Sequence, residues 1–215
     1  MGIQLDGAEV RVLGALMEKE VATPEYYPLS LNALVNACNQ KSNREPAVSY
    51  DEDTVETALA GLRAKGLATR MSGHDMRVPK HGHRLAEVIN LGRREAAVLC
   101  VLMLRGPQTA GELRGRTERL YQFDDLEAVD ACLTRLMEWQ PEPLVSRLPR
   151  QVGYKEVRYV HLLSGEPQTP AVAQTPSVRE TRDDLVARLQ ARVDRLEAEF
   201  ADLKRQFAEF KKQFE

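Results

Sequence analysis

Hydrophobic residues recur along this chain at helical spacing, and one such pattern is present twice. The first copy contains Leu5, Glu9, Val12, Leu13, Leu16 and Met17, and the second contains Leu91, Glu95, Val98, Leu99, Leu102 and Met103. A later pattern also repeats, first as Val55, Leu59 and Leu62 and then as Val129, Leu133 and Leu136. Residues three and four apart share one face of an α-helix, so each copy is predicted to contain amphipathic helices that bury this face.

In both copies the later of these helices leads into a short extended segment that carries an arginine, Arg70 in the first and Arg147 in the second. A shorter helix is predicted between the two longer ones, at residues 31–38 and 110–119. Helix, shorter helix, helix and two strands is the element order of a winged helix. The sequence therefore predicts a mainly α fold with small β-hairpin wings (α+β), in which two tandem winged-helix domains occupy residues 1–88 and 89–165.

Residues that commonly occur at helix ends indicate where several of these helices begin and end. Asp6 with Glu9, and Thr109 with Glu112, have the capping-box spacing that starts a helix. Gly66 is expected to end the third helix of the first copy. Strands are predicted at residues 67–71 and 76–79, and in the second copy near 144–148 and 156–163.

The C-terminal part of the chain has a different character. Residues 166–177 are rich in proline, glutamine and threonine and are predicted to be a linker. Residues 178–215 then carry apolar side chains at the alternating three and four spacing of a coiled coil, among them Leu189, Val193, Leu196, Phe200, Leu203, Phe207 and Phe210. This pattern predicts a helix that joins two copies into a homodimer. The alternative is an amphipathic helix that folds back on its own domain.

Composition narrows the class of protein. With 215 residues, 43% of them hydrophobic and 29% charged, the chain has room for two small globular domains and an appendage. The net charge of −2 is unlike that of a dedicated non-specific nucleic-acid binder, so contacts with nucleic acid would have to come from local patches. The chain shows no signal-peptide pattern and no apolar run of about 20 residues, so no membrane contact is expected. Three cysteines in apolar surroundings, Cys38, Cys100 and Cys132, favour buried thiols in a reducing cytoplasm.

Little in the sequence points to catalysis or to metal binding. The segment His81-Gly82-His83 has no cysteine or carboxylate nearby at ligand spacing, whereas zinc takes three or four protein ligands. The sequence contains no glycine-rich phosphate loop and no nucleophile motif. The expectation is therefore a protein that is not an enzyme and that takes no cofactor or metal.

Two polar strings are long enough to be specific. Residues 37–46 read Ala-Cys-Asn-Gln-Lys-Ser-Asn-Arg-Glu-Pro, and residues 104–114 read Leu-Arg-Gly-Pro-Gln-Thr-Ala-Gly-Glu-Leu-Arg. With Arg116 and Tyr121, these strings resemble the YceH family of uncharacterised bacterial proteins over roughly residues 5–166. The resemblance implies a tandem winged-helix fold and implies no particular function.

Three groups of basic and amide side chains are suited to gripping the phosphates of duplex DNA. They are the loop residues Lys41, Asn43 and Arg44, the helix residues Arg114, Arg116 and Arg119, and the wing residues Arg70, Arg77 and Arg147. These groups predict a DNA-binding, transcription-regulator-like protein that uses loop and wing contacts.

Acidic residues at the start of both third helices favour a different function. Asp51 and Glu52 open the third helix of the first copy, and Asp124 and Asp125 open that of the second. A helix that reads the major groove usually presents arginine, lysine, asparagine or glutamine to the base edges. Acidic helix ends suit a basic protein partner better, so a protein–protein adaptor built on winged helices is the alternative function.

The loop at residues 39–44 has two interpretations. In the first, its donors serve a ligand, and substitutions at Lys41 and Arg44 change stability by no more than about 0.5 kcal/mol. In the second, Asn39 and Asn43 cap helices and turns, while Lys41 and Arg44 pair with local acids such as Glu45. We expect the loop to matter more to function than to stability.

Overall fold

A computed structural model describes residues 3–73, 78–149 and 156–165, together with Lys204. The chain divides into a compact unit of residues 1–167 and a second unit of residues 168–215. The predicted wing residue Arg77 lies outside the described residues, as do the linker and every predicted coiled-coil position: Leu189, Val193, Leu196, Phe200, Leu203, Phe207 and Phe210. Dimerisation and the fold-back alternative both stay predictions.

The first half of the compact unit combines helices with a small antiparallel sheet. Its elements are α1 (Gly7–Ala22), β1 (Leu29–Ser30), α2 (Leu31–Cys38), α3 (Glu52–Ala64), β2 (Ala68–Met71) and β3 (Lys80–His83). The strand order in the sheet is β1-β3-β2, and Arg70 on β2 pairs with His81 on β3. The strand β1 was not predicted, and β3 begins at Lys80, beyond the predicted residues 76–79.

The second half also has three longer helices followed by two strands, but it begins with an additional short helix, and an isolated bridge between Gln108 and Tyr159 takes the place of the strand β1. Its elements are α4 (Leu85–Val88), α5 (Arg93–Arg105), α6 (Ala110–Arg116), α7 (Leu126–Met137), β4 (Val145–Arg147) and β5 (Tyr159–His161). The strands β4 and β5 form an antiparallel pair. The α+β class with small sheets is therefore confirmed. No helix in the described ranges is long and apolar enough to cross a bilayer.

The helix ends follow the local signals in the sequence. The Asp6 carboxylate accepts a hydrogen bond from the Glu9 backbone N–H at 2.8 Å, and the Glu9 carboxylate accepts one from the Asp6 N–H at 2.9 Å, which completes the predicted capping box. Gly66 has φ +72°, in the left-handed region that glycine enters without a steric cost. The helix α6 ends at Arg116, three residues before the prediction, where the Thr117 hydroxyl donates to the Leu113 carbonyl at 2.8 Å.

A close crossing of α1 and α5 joins the two halves into one hydrophobic core. A Cβ atom built on Gly14 of α1 would lie 3.0 Å from the Leu104 side chain of α5, so the helices meet closely here and a larger residue would require Leu104 to shift. Beside this point the Cys100 thiol donates to the Gly14 carbonyl at 3.5 Å. All three cysteines are buried, as predicted, and burial raises the pKa of Cys38 and Cys132 to about 12.

A buried carboxylate at the same position of each repeat ties its first helix to its third. Glu9 is 3% exposed and forms an ion pair with Lys65 at the end of α3. Its counterpart Glu95 is 4% exposed and lies 3.1 Å from the Arg135 guanidinium on α7. The sequence pattern showed both residues but did not predict their partners.

Candidate functional site

The connection between α2 and α3 is closed by polar side chains. The Asn39 side-chain amide donates to the Tyr50 carbonyl at 2.7 Å and accepts from the Tyr50 N–H at 2.8 Å, which clamps the two ends of the connection together. Arg11 of α1 donates to the Pro46 carbonyl at 2.6 Å and to the Cys38 carbonyl at 3.3 Å. The backbone of this connection is therefore held by side chains that lie beneath it.

Arg44 is the central member of this network. Its side chain is 0% exposed, and its Nη2 lies 2.6 Å from Oε2 of Glu18 on α1. The guanidinium also donates to the carbonyl of Ala37 at 2.9 Å and to that of Asn43 at 3.0 Å. A buried guanidinium with these partners has no surface to offer a phosphate, which corrects the assignment of Arg44 as a DNA contact. Its acidic partner is Glu18 rather than the neighbouring Glu45.

Glu18 responds to this arrangement. Burial by itself raises the pKa of the Glu18 carboxyl, but the hydrogen bonds and the charge of Arg44 outweigh burial and lower that pKa below its usual value. The Glu18 carboxyl is therefore charged at neutral pH. Because an ion pair with a buried guanidinium is costly to break, we now expect Arg44, unlike Lys41, to matter to stability.

The same network turns two other loop residues outward. Asn43 is exposed and has φ +62°, a left-handed conformation that asparagine tolerates better than most residues. Its side-chain oxygen accepts a hydrogen bond from Arg105 of α5, which joins the loop to the second half. Lys41 is exposed on the same loop. The structural interpretation of the loop therefore applies to Arg44, whereas a role of Lys41 in binding a ligand stays a prediction.

Lys41 and Asn43 face a cleft of about 770 Å³ between the two halves, which we call the inter-repeat cleft. Its walls come from the end of α1, the α2–α3 connection, α5 and the segment that includes and follows α6. The cationic residues that line it are Lys19, Lys41, Arg105, Arg116 and Arg119. Glu18 is the one carboxylate among the described residues that line it, and that carboxylate is paired with Arg44.

These cations differ in how far they are already engaged. Arg116 donates to the Gln108 side chain and lies 3.4 Å from Oε1 of Glu112. Burial first, and then the nearby charge of Arg116, lower the pKa of Arg105. Lys41 and Arg119 are exposed, and neither makes a hydrogen bond or an ion pair with the part of the chain that the structure describes. These two residues are thus free to bind a ligand.

A smaller recess of about 570 Å³ adjoins the cleft and shares Asn43, Arg105 and Arg116 with it. Arg158, which precedes β5, enters this recess and lies 3.1 Å from Oε2 of Glu112. Basic side chains are therefore present both in the cleft and in the adjoining recess near the second hairpin.

The structure brings four of the predicted contact residues together at the cleft. Arg114, Arg70 and Arg147 lie outside it. Lys41, Asn43, Arg116 and Arg119 meet at the inter-repeat cleft. Arg114 instead donates to the Asp124 carbonyl at 2.7 Å, beside the acidic start of α7. Arg70 and Arg147 are exposed on the strands β2 and β4 and do not line the cleft.

Sequence reasoning missed Arg105 and Lys19 as site residues. Arg105 lies inside one of the two polar strings, directly before Gly106, so its charge was visible in the sequence but was not grouped with the candidate contact residues. Lys19 occupies the last turns of α1 and gives no local sign of a site. Its place in the cleft follows from how the two halves pack.

The two histidines of strand β3, His81 and His83, are placed by burial and by contacts within the protein. His81 is buried, and burial, followed by the charge of Arg63, lowers its pKa. Nε2 of His83 lies 2.9 Å from Oε2 of Glu20 on α1. Among the described residues, no group of three or more histidine, cysteine or acidic side chains is placed to hold a metal ion.

Fold and site together define an α+β protein of two similar halves with a cationic cleft between them. The family described as "Protein of unknown function, DUF480" matches residues 5–154, and the chain belongs to this family. A UPF0502 protein of Solibacter usitatus is 62% identical over 196 residues, which cover 90% of this chain and 93% of the relative. UPF0502 proteins of Opitutus terrae and Koribacter versatilis are 58% and 55% identical, over 80% and 90% of this chain and 75% and 90% of their own lengths. YceH is a UPF0502 protein, so the resemblance seen in the two polar strings is confirmed.

Proposed function

We propose that this protein is a non-enzymatic DNA-binding protein, of the transcription-regulator kind, that holds the phosphate backbone of a duplex at the inter-repeat cleft. The observation that supports the proposal is the convergence on one cleft of Lys41 from the first half with Arg116 and Arg119 from the second. Lysine and arginine contacts to phosphates provide much of the affinity of proteins for DNA. A local patch of this kind gives such contacts to a chain whose net charge is −2.

In this proposal the two halves act as tandem winged helices that do not read the major groove with their third helices. Glu52 and Asp53 are exposed in the first turn of α3, and Asp125 and Glu127 are exposed at the start of α7. Carboxylates at these positions repel a phosphate backbone. The loop therefore leads the contact, and Arg70 and Arg147 of the hairpins flank it. We place the protein in the cytoplasm as a homodimer formed through residues 178–215.

The same acidic helix ends support a second candidate function, an adaptor that docks a basic protein. Exposed carboxylates at the start of both α3 and α7 offer such a partner two equivalent contacts, one from each repeat. In this alternative the cleft is not needed for binding.

Fluorescence anisotropy of a labelled random duplex, measured with the full-length protein over a range of sodium chloride concentrations, tests the proposal. The slope of log K against log salt is expected to be about −2 to −4, because each neutralised phosphate contributes roughly 0.9. The double substitution Lys41→Ala with Arg119→Ala should weaken binding about tenfold or more and make the slope shallower by about 2.

The matched control is the double substitution Arg70→Ala with Arg147→Ala, which removes the same charge from exposed residues outside the cleft. It is expected to change the affinity less than the cleft variant does. Absence of duplex binding at low salt, or an equal loss in both variants, would contradict the cleft as the DNA site. In the first case the acidic helix ends become the next surface to test, by charge reversal at Glu52 and Glu127.

A further inference from the structure

We propose that the inter-repeat cleft also binds a small free anion that carries two or more phosphate groups, and that this anion competes with DNA for the cleft. Binding of the anion goes beyond the proposed function and does not depend on it. Only the competition rests on the proposed function.

The size of the cleft suits a small ligand. Its volume of about 770 Å³ lies within the range of about 300–1,000 Å³ that is usual for small-molecule sites. A duplex is too large to enter a space of this volume, so only phosphates on its surface reach the mouth of the cleft. The interior is left for a smaller molecule.

The charge of the cleft calls for an anion. Five cationic residues line it, and two of them already have an acidic partner: Lys19 lies 3.5 Å from Glu18, and Arg116 lies 3.4 Å from Glu112. Lys41, Arg105 and Arg119 form no ion pair within the described residues. Crowding of like charges is unfavourable unless an opposite charge joins them. The lowered pKa of Arg105, which burial and then Arg116 cause, is consistent with this crowding. A multiply charged anion relieves it.

The donors in the cleft fit phosphate groups rather than a base. Lys41 and Arg119 enter from opposite halves and make no hydrogen bond or ion pair within the described ranges, so two charged donors are free at once. Asn43 and Ser42 add neutral polar groups beside Lys41. None of the described residues that line the cleft is aromatic, so the cleft offers no ring on which a base could stack.

Apolar residues in the wall of the cleft strengthen these contacts. Val101 and Leu104, which are buried, and the half-buried Leu120 also line it. Apolar walls lower the effective dielectric constant, so a charge-assisted hydrogen bond here is stronger than one on an open surface.

Isothermal titration calorimetry of the full-length protein with sodium tripolyphosphate tests the anion site. We expect saturable binding that sodium sulfate at the same ionic strength does not reproduce. The double substitution Lys41→Ala with Arg119→Ala should weaken binding about tenfold or more, because it removes two charge-assisted hydrogen bonds. Both side chains are exposed and unpaired within the described part, so this variant should keep its fold, which circular dichroism checks. The control pair Arg84→Ala with Arg93→Ala removes the same charge from exposed residues that belong neither to the cleft nor to the proposed duplex contact, and it should bind within about twofold of the parent.

Three results would overturn the anion site: no heat with tripolyphosphate, an equal response to sulfate, or unchanged affinity in the cleft variant. ATP is expected to bind within about threefold of tripolyphosphate. A preference for ATP of more than about tenfold would overturn the statement that phosphate groups alone are recognised.

Competition is measured by release of a labelled duplex on addition of tripolyphosphate at constant ionic strength. Release by tripolyphosphate but not by sulfate supports competition, and a duplex that stays bound while tripolyphosphate saturates the cleft contradicts it. The two proposals fail separately. If no duplex binds, calorimetry still decides the anion site, and if the duplex binds but tripolyphosphate gives no heat, the anion site alone is wrong.

Discussion

The connections between the second and third helices of the two repeats reach the same cleft but are held together by different interactions. In the first repeat the connection between α2 and α3 is organised by the buried pair of Arg44 and Glu18, 2.6 Å apart. In the second repeat the shorter connection between α6 and α7 contains Tyr121 and Phe123, whose rings meet edge to face with centroids 4.9 Å apart. One connection is stabilised by buried charge and the other by apolar contact.

The difference has a physical reason. In the longer connection the carbonyl groups of Asn43 and Pro46 accept from Arg44 and Arg11, and an arginine has five N–H donors with which to satisfy several acceptors at once. The shorter connection combines the aromatic contact with one side-chain hydrogen bond to its backbone, from Arg114 to the Asp124 carbonyl at 2.7 Å. Each connection then presents a cation to the cleft, Lys41 in the first repeat and Arg119 in the second. Two neighbouring basic residues of one polar string therefore have different roles: Arg44 is structural, whereas Lys41 makes no hydrogen bond or ion pair within the described residues.

The largest expected effect is that of Arg44→Ala. Removal of the buried Arg44 side chain leaves the half-buried Glu18 carboxylate without its main counter-charge and the Ala37 carbonyl without its donor. We therefore expect the free energy of unfolding to fall by about 3–5 kcal/mol. Urea denaturation of the full-length protein measures this. Lys41→Ala, three positions earlier on the same loop, is the control and should change stability by no more than about 0.5 kcal/mol. Equal stability of the two variants would show that the loop is not held by its buried arginine.

Substitution of the buried aromatic residue tests the other connection. Phe123 is 4% exposed, and Phe123→Ala should cost about 3–5 kcal/mol because it leaves a cavity in the apolar packing. Tyr121→Phe is the matched variant, since it keeps the ring and removes only the hydroxyl that accepts from Nε of Arg94 at 2.9 Å on the exposed side. It should cost no more than about 0.5 kcal/mol. A large loss of stability in Tyr121→Phe would mean that the second connection depends on the hydrogen bond between Arg94 and the Tyr121 hydroxyl.

The pH dependence of the free energy of unfolding also distinguishes the two connections, with a smaller effect than the substitutions Arg44→Ala and Phe123→Ala. The pKa of Glu18 in the folded protein lies below its usual value, so the charged pair stabilises the fold at neutral pH and this stabilisation is lost as the pH falls through the folded pKa. Glu18→Gln should be less stable than the parent by about 1–3 kcal/mol at pH 7, since it weakens a charge-assisted hydrogen bond, and the difference should narrow below about pH 4.5.

Denaturation curves at several pH values measure this difference. The deficit of Phe123→Ala relative to the parent should stay nearly constant over the same range, because no titrating group takes part in it. If the deficit of Glu18→Gln also stays constant in acid, the carboxylate does not stabilise the fold through its charge.

Residues three and four positions apart in the sequence were enough to predict the helices and where they begin. The capping boxes of Asp6 with Glu9 and of Thr109 with Glu112 fixed the starts of α1 and α6, and the apolar spacing placed the helices of both halves. These features depend on a single turn of the chain, so the sequence determines them wherever the segment packs. The end of α6 was predicted less well, because the back-bonding hydroxyl of Thr117 is a feature of the last turn that apolar spacing does not show.

The candidate site was decided by tertiary structure. Sequence alone named Lys41, Arg44, Arg116 and Arg119 as basic residues of one kind, but it could not divide them into buried and free. Arg44 is buried because α1 places Glu18, 26 residues away in the sequence, directly against it. Arg105 and Lys19 join the cleft because Gly14 lets α1 and α5 cross closely. The charge and hydrogen-bonding capacity of a side chain belong to the residue, whereas its desolvation and its partners depend on segments distant in the chain.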